Sequence, residues 1–371
     1  MLKSLYVENF KSLLKSDITL SNLTLISGLN GVGKSSLIQV LLLVRESYLN
    51  HSLFDEGLLL KNKYINIGQG KDALTEDASE NWFKFILDWE DKTHLNLFFD
   101  YSSDSNLQPI NQSKSKYDKD DIKEKALFST RFQYLSAERI APRNSYDISD
   151  YGISNKNSLG KNGELTIHYL AKYQSRKIEE RLMHPKEKIN TLIAQVDAWM
   201  SEISPGIKIT AEIKGDINQA TLHYQFETSL GYTKKFNPIN VGFGLTYVLP
   251  VVTAILSAKP ADLLIIENPE AHLHPAGQTV VGRLISIASQ NGIQIIVESH
   301  SDHLLNGIRV SVKQKLIEPE NVALYYFERS KSVKEHIIEI TRPFIDADGK
   351  LDEWPNGFFD EWEIQLDNLL E

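Results

Sequence analysis

An α/β fold is the class this sequence predicts, and three stretches predict it. Leu23-Thr24-Leu25-Ile26 is a short apolar run that leads into Gly28-Leu29-Asn30-Gly31-Val32-Gly33-Lys34-Ser35 and then into a periodic helix. Leu263-Leu264-Ile265-Ile266 is a continuous apolar run closed by Glu267, the pattern of a parallel strand buried on both faces. Ile293-Gln294-Ile295-Ile296-Val297 is a third run, closed by Glu298-Ser299-His300. Motifs so far apart in sequence can meet only if residues 1–140 and 220–371 form one core. A single domain is therefore expected, with a helical lobe at about 145–219 and a flexible polar loop at about 102–125.

The spacing G-x-x-x-x-G-K-S, after a strand and before a helix, is that of a phosphate-binding loop. Its glycines let the backbone bend so that several N–H groups point at one phosphate chain, and the helix beginning near Lys34 adds the positive end of its dipole. Asn30, Gly31, Val32, Gly33, Lys34, Ser35 and Ser36 are the candidate ATP-binding residues. Lys34 is expected to reach the β- and γ-phosphates and Ser35 to place its hydroxyl on Mg²⁺. Leu37, Val40, Leu41, Val44 and Tyr48 continue the helix with one apolar stripe. A chance glycine-rich turn is the bland alternative, and strand, spacing and helix agree against it.

Composition bounds the rest. The chain has 371 residues, 42% hydrophobic and 24% charged, as ordinary soluble proteins do. No apolar run approaches the roughly 20 residues needed to span a bilayer, and the N-terminus lacks a secretory core, so no membrane association and a cytoplasmic location are expected. There are no cysteines, which excludes disulfides, thiolate chemistry and cysteine-ligated zinc. A net charge of −9 argues against broad attraction to nucleic acid but leaves a local basic groove open.

In chain order, Ser4–Val7 and Asp17–Leu20 read as strands, and Tyr64–Gly70 as a short third one. Trp82–Leu87 and Leu95–Phe99 alternate on either side of Glu90-Asp91-Lys92, which predicts a hairpin. The Lys114–Lys125 run reads as a solvated face rather than a DNA site. Phe132–Arg139 reads as a strand with a charged end, and residues 164–204 as helical, with Ile189, Leu192, Ile193, Val196, Met200 and Ile203 on one face. Ile207–Ile213 and Ala220–Phe226 form a strand pair. Asn240-Val241-Gly242-Phe243-Gly244-Leu245-Thr246 is a glycine-rich turn opening a second apolar helix, again a ready anion site. Val322–Phe327 and His336–Ile340 read as terminal strands, Asp346-Ala347-Asp348-Gly349 as a turn, and Ile364, Leu366, Leu369 and Leu370 as the face of a closing helix.

Val7-Glu8-Asn9-Phe10-Lys11-Ser12 followed about twenty residues later by the glycine loop resembles the opening of ABC-type ATPases of the SMC, RecN and OLD group. Leu263–Glu267 with Asn268-Pro269-Glu270-Ala271-His272-Leu273-His274-Pro275 resembles their acidic strand and D-loop. With the tail Trp354-Pro355-Asn356-Gly357-Phe358-Phe359 the whole chain resembles stand-alone OLD-like ATPases that accompany prokaryotic defence or mobile-element genes. The resemblance implies an ABC-type fold: a mixed central sheet, an antiparallel β-subdomain and an inserted helical lobe. It implies that Glu267 shares the Mg²⁺ with Ser35, that Gly242, Phe243 and Gly244 close over ATP held by the second copy of a homodimer, and that His300 is the switch histidine. Gln69, Gln133 and Arg139 are candidates for the Q-loop position.

One departure bears on catalysis. ABC-type ATPases carry a glutamate after the acidic strand, and here Asn268 stands there. An amide cannot serve as a general base, though it can position water, and Glu270 is the candidate for the missing carboxylate. Lys34, Glu267, Asn268, Glu270 and His300 thus make up the expected catalytic set, with slow hydrolysis. A metal centre built from Glu270, His272, His274, His300 and His303 is the rival reading. OLD proteins carry a C-terminal nuclease, for which this chain leaves no room, so a separate effector protein such as a nuclease is expected as partner. The alternative is a DNA-clamping ATPase of DNA maintenance or repair.

Overall fold

The computed structural model describes residues 1–329, 338–355, 357–359 and 361–370. These form two units, one of Met1–Ser129, Ala323–Phe344 and Leu351–Glu371, the other of Thr130–Val322 and Ile345–Lys350.

In the first unit β1 (Leu2–Phe10) and β2 (Leu13–Thr19) form a hairpin, and β3 (Leu23–Gly28) feeds the glycine loop and α1 (Lys34–Leu49). Leu37, Val40, Leu41 and Val44 of the expected stripe on α1 are buried and Tyr48 is half-buried, but Ile38, Leu42 and Leu43 are buried too, so the helix is enclosed on more than one face. β4 (Gly57–Leu59) precedes a correction. The Tyr64–Gly70 stretch is not a strand, because the Asn62 side chain accepts from the N–H groups of Tyr64 and Ile65 and folds it into a turn, and Gly70–Ala73 is a single-turn helix, α2.

β5 (Trp82–Trp89) and β6 (His94–Asp100) form the expected hairpin and extend the antiparallel sheet in the order β2-β1-β5-β6. Phe83, Phe85 and Leu87 are buried on one face at period two. The polar 102–125 stretch holds more structure than its composition suggests: β7 (Leu107–Pro109) pairs with β4, and α3 (Lys119–Ile122) follows. Buried Gln108 makes this possible, its amide donating to the carbonyls of Ser102 and Ser105.

The second unit is built on three parallel strands in the order β14-β13-β8: β8 (Phe132–Leu135), β13 (Leu263–Glu267) and β14 (Gln294–Glu298). Ile265 is level with Ile296 on one side and Tyr134 on the other. Glu267, Glu298 and the turn after Leu135 therefore leave the sheet at the same carboxyl edge, where open α/β sheets place their chemistry. Between β8 and β13 lie β9 (Tyr146–Asp147), α4 (Thr166–Tyr173), α5 (Leu192–Ile203), the antiparallel strands β10 (Ile207–Lys214), β11 (Gln219–Thr228) and β12 (Gly231–Tyr232), and α6 (Phe243–Ser257).

The helical 164–204 stretch holds two α-helices, α4 and α5, with irregular chain between them. Buried Gln195 organises the connection between them, accepting from His184 N–H and donating to the carbonyl of Ile189, and Ile189 itself is exposed rather than on the apolar face. α7 (Pro275–Gln290) and α8 (Asp302–Lys313) pack on each other so closely that a Cβ on Gly282 would lie 2.5 Å from the Leu304 carbonyl.

The chain then returns to the first unit. From Ala323 onward β15 (Val322–Arg329) lies beside β3 and pairs with β16 (Ile338–Thr341), Arg329 opposite Ile338. α9 (Glu361–Leu370) closes the chain with Leu369 and Leu370 exposed. His336, Ile337, Asn356 and Asp360 lie outside the described residues, as does the side chain of Ile364.

Candidate functional site

The glycine loop of the first unit has the backbone its sequence demands. Gly28, Gly31 and Gly33 sit at φ 141°, 76° and 88°, a region that favours glycine. Space excludes side chains as well: a Cβ on Gly28 would lie 2.1 Å from the Phe327 carbonyl oxygen, and one on Gly33 2.3 Å from Ser12 Oγ. Gly33 caps α1, and the 16-residue helix aims its N-terminal N–H groups into the loop. Lys34 is 4% exposed, its ammonium donating to the carbonyls of Gly28 at 2.9 Å and Leu29 at 2.6 Å, so it lies folded along the loop it serves. Asn30, Gly31 and Ser35 are exposed, while Val32 and Ser36 are buried and anchor the loop. A cradle that a Cβ would fill, with main-chain donors, an ammonium and an exposed hydroxyl, fits a nucleotide's phosphates and a Mg²⁺ ion.

At the carboxyl edge of the second unit, Glu267 is held on every side. Its Oε1 accepts from the Tyr134 hydroxyl and its Oε2 from Ala137 N–H, both at 3.0 Å, and its carbonyl accepts from Arg139 Nη2 at 2.7 Å. Arg139 is 3% exposed and also donates to the Ser136 carbonyl at 2.7 Å. Burial pulls its guanidinium down to about 10, against the pull of Glu267 and Glu270. Burial likewise raises the Tyr134 phenol, helped by Glu267.

Asn268 adopts a left-handed conformation, φ 44°, and its N–H donates to the Glu298 carbonyl at 2.7 Å, tying the ends of β13 and β14 together. Glu270 turns inward: its Oε1 accepts from Ser299 Oγ and His300 N–H. Burial raises its carboxyl above the ordinary glutamate value, with the Ser299 bond opposing. Arg139 Nε, Asn268 Oδ1 and Glu270 Oε2 are buried with no hydrogen-bond partner among the described residues. Orphaned polar atoms at one strand edge mark a place built for more than packing. His300 is exposed just beyond, and Ser301 caps α8 by accepting from Leu304 N–H at 3.0 Å.

The turn Asn240–Thr246 packs on the segment after Glu270. Gly242 caps α6, and a Cβ on Gly244 would lie 2.3 Å from the His272 carbonyl oxygen. His272, left-handed at φ 63°, meets the rings of Phe243 and Tyr247 edge-on at 5.0 and 4.8 Å. The histidines do not converge on a metal: among the described residues no three His, Cys, Asp or Glu side chains form a cluster able to hold one, and His274 caps α7 through Ala276 N–H. The Q-loop candidates separate too. Gln133 is tied to Leu159 N–H and the Gly160 carbonyl, Gln69 caps α2, and Arg139 alone stands at the acidic strand's end.

A family model described as AAA ATPase domain matches residues 1–305. This chain belongs to that family. A second family model, described as a protein of unknown function, matches residues 317–369 at the end of this AAA ATPase domain protein. No curated protein matches it.

Among solved structures, an Smc head bound to the C-winged helix domain of ScpA is similar at 12% identity, covering 93% of this chain and 98% of that one, with a TM-score of 0.54. The SMC head domain from Thermotoga maritima shares 12% identity over 92% and 98%, with a TM-score of 0.46. An Smc head with an extended coiled coil, bound to the C-terminal domain of ScpA and derived from Pyrococcus furiosus, shares 14% over 100% and 99%, with a TM-score of 0.49. The first likeness shows the fold, a mixed α/β fold with mixed central and antiparallel sheets like that of an Smc head. No helix among the described residues is long and apolar enough to cross a membrane.

Sequence reasoning missed Tyr134 and Ser299 and did not foresee that Arg139 binds the carbonyls of Ser136 and Glu267. Only the placement of Tyr134 one residue before the end of a strand beside an acidic one could have signalled its role.

Proposed function

We propose that this AAA ATPase domain protein is a slowly hydrolysing, Mg²⁺-dependent ATP switch that dimerises around nucleotide and controls a separate effector in prokaryotic defence, as its OLD-like motifs suggest. The observation that carries the slow switch is Asn268, which stands where a general base is needed, with its Oδ1 buried and unpaired. Such an amide orients a water without accepting its proton.

In this reading Lys34 and the loop N–H groups bind the phosphates, and Ser35 and Glu267 would hold the metal, Glu267 being fixed by Tyr134 and Ala137. Bound Mg²⁺ would supply charge neutralisation on the phosphates. His300 reports the γ-phosphate, and Gly242, Phe243 and Gly244 face the nucleotide of the second copy. The exposed α6 turn, stiffened against His272, supports a surface that docks as one piece.

The Smc head structure has a partner domain bound, which supports a protein partner for this head as well. The second reading is a DNA clamp, with which an Smc-head fold is also consistent. Light scattering with Mg²⁺-ATP, steady-state phosphate release and purification from the native host with ATP present test the proposal together. ATP-dependent dimers, slow release and a co-purifying protein are expected. Fast release from a monomer refutes the switch, and salt-sensitive duplex binding without a protein partner favours the clamp.

A further inference from the structure

Arg329 ends β15 in register with Ile338 of β16, and both side chains reach the glycine loop. A Cβ built on Gly31 would lie 3.9 Å from Arg329 Nη2, and one on Gly33 would lie 3.0 Å from Ile338 Cδ1. The strand that carries the arginine is fastened to the loop by main chain. Leu29 N–H donates to the Phe327 carbonyl at 3.3 Å, and Ser27 Oγ donates to the Tyr325 carbonyl at 3.1 Å. Two residues beyond Phe327, the backbone of Arg329 therefore has little freedom to leave the loop.

Arg329 is exposed and forms no ion pair among the described residues. Glu328 and Glu339 stand opposite each other in the ladder, one residue out of phase with Arg329 and Ile338, so their side chains leave the hairpin on the other face. An exposed guanidinium held beside a ring of main-chain donors matches a polyphosphate, whose oxygens its planar fork can grip two at a time.

We propose that Arg329 is a second phosphate-binding cation of the nucleotide site, gripping the phosphate chain from the side of Gly31 while Lys34 serves it from the start of α1. The inference rests on the reading of Gly28–Ser35 as the ATP site. It assigns a direct role at that site to the C-terminal strands, which lie beyond the stretch matched by the AAA ATPase domain model.

Calorimetric titration of the full chain with Mg²⁺-ATP, Mg²⁺-ADP and adenosine tests it, using wild type, Lys34→Ala, Arg329→Ala and Arg329→Lys. Arg329→Ala is expected to weaken Mg²⁺-ATP binding about tenfold, with Arg329→Lys recovering part of the loss and the gap narrowing at high salt. Thermal melting at the wild-type temperature shows that the variants fold. Unchanged ATP affinity in a folded Arg329→Ala overturns the proposal, as does an equal loss for adenosine, which would assign the arginine to the base. Wild type that binds no better than Lys34→Ala sinks the ATP reading itself and takes this inference with it, so the two failures are distinguishable.

Discussion

The Ser299 hydroxyl donates to Glu270 Oε1 at 2.7 Å, and the next residue, His300, donates its N–H to the same oxygen at 3.1 Å. One carboxyl thus ties the segment after β13 to the segment after β14. Because burial raises its pKa, the native state holds this proton to higher pH than the unfolded chain does. Stability is unaffected below the ordinary glutamate pKa and declines as pH rises from there through the raised value. Glu270→Gln keeps an acceptor and cannot ionise. It is expected to remove a slope of at most ~1.4 kcal/mol per pH unit, read as melting temperature against pH. An identical pH profile in wild type and variant would show that Glu270 carries no such burden.

Asn268 suits its backbone, since a short amide side chain tolerates φ 44° where longer ones do not. Asn268→Glu is expected to lose about 1 kcal/mol of stability and to raise steady-state ATP turnover by ~10-fold or more, by installing a general base. Phosphate release and denaturant titration measure the two effects. A stable variant with unchanged turnover would mean that residue 268 does not face the attacking water.

Gly244 leaves no room above the His272 carbonyl. In Gly244→Ala the α6 turn must move off the His272 segment, while the glycine loop, in the other unit, is untouched. ATP affinity within about twofold of wild type is expected, together with loss of the ATP-dependent dimer in light scattering. Retained dimerisation would show that the turn has no part in the contact.

Arg139 serves main-chain acceptors with a rigid fork that lysine cannot copy. Arg139→Lys is expected to cost about 2 kcal/mol and to lower ATP turnover, because the Glu267 and Ser136 carbonyls lose a shared donor. Chemical denaturation measures the first. Full stability in the lysine variant would place the burden on the turn itself.

Much of this was legible in the residues, for physical reasons. Leu263–Ile266 has the unbroken apolar character that only a strand covered on both faces requires, and the glycines at 28, 31 and 33 announce positive φ. What stayed hidden depends on single side chains acting at a distance. Tyr64–Gly70 has strand composition, yet Asn62 folds it into a turn. The 164–204 stretch has helical periodicity, yet Gln195 gathers the chain between two helices. At the site, an arginine after a strand has many uses, and only coordinates show Arg139 gripping the end of β13. No local pattern could bring Arg329 to Gly31.

The hydrogen bond from Ser27 to the Tyr325 carbonyl joins residues 298 positions apart. During synthesis the glycine loop emerges well before the strand that flanks it, which follows 298 positions later. Closing so long a span makes this pairing a slow event in folding. A nascent or prematurely ended chain that stops short of β15 carries every residue of the loop and lacks the wall behind it. The loop and the strand that walls it therefore come together only after β15 has been made, however early the loop itself was complete.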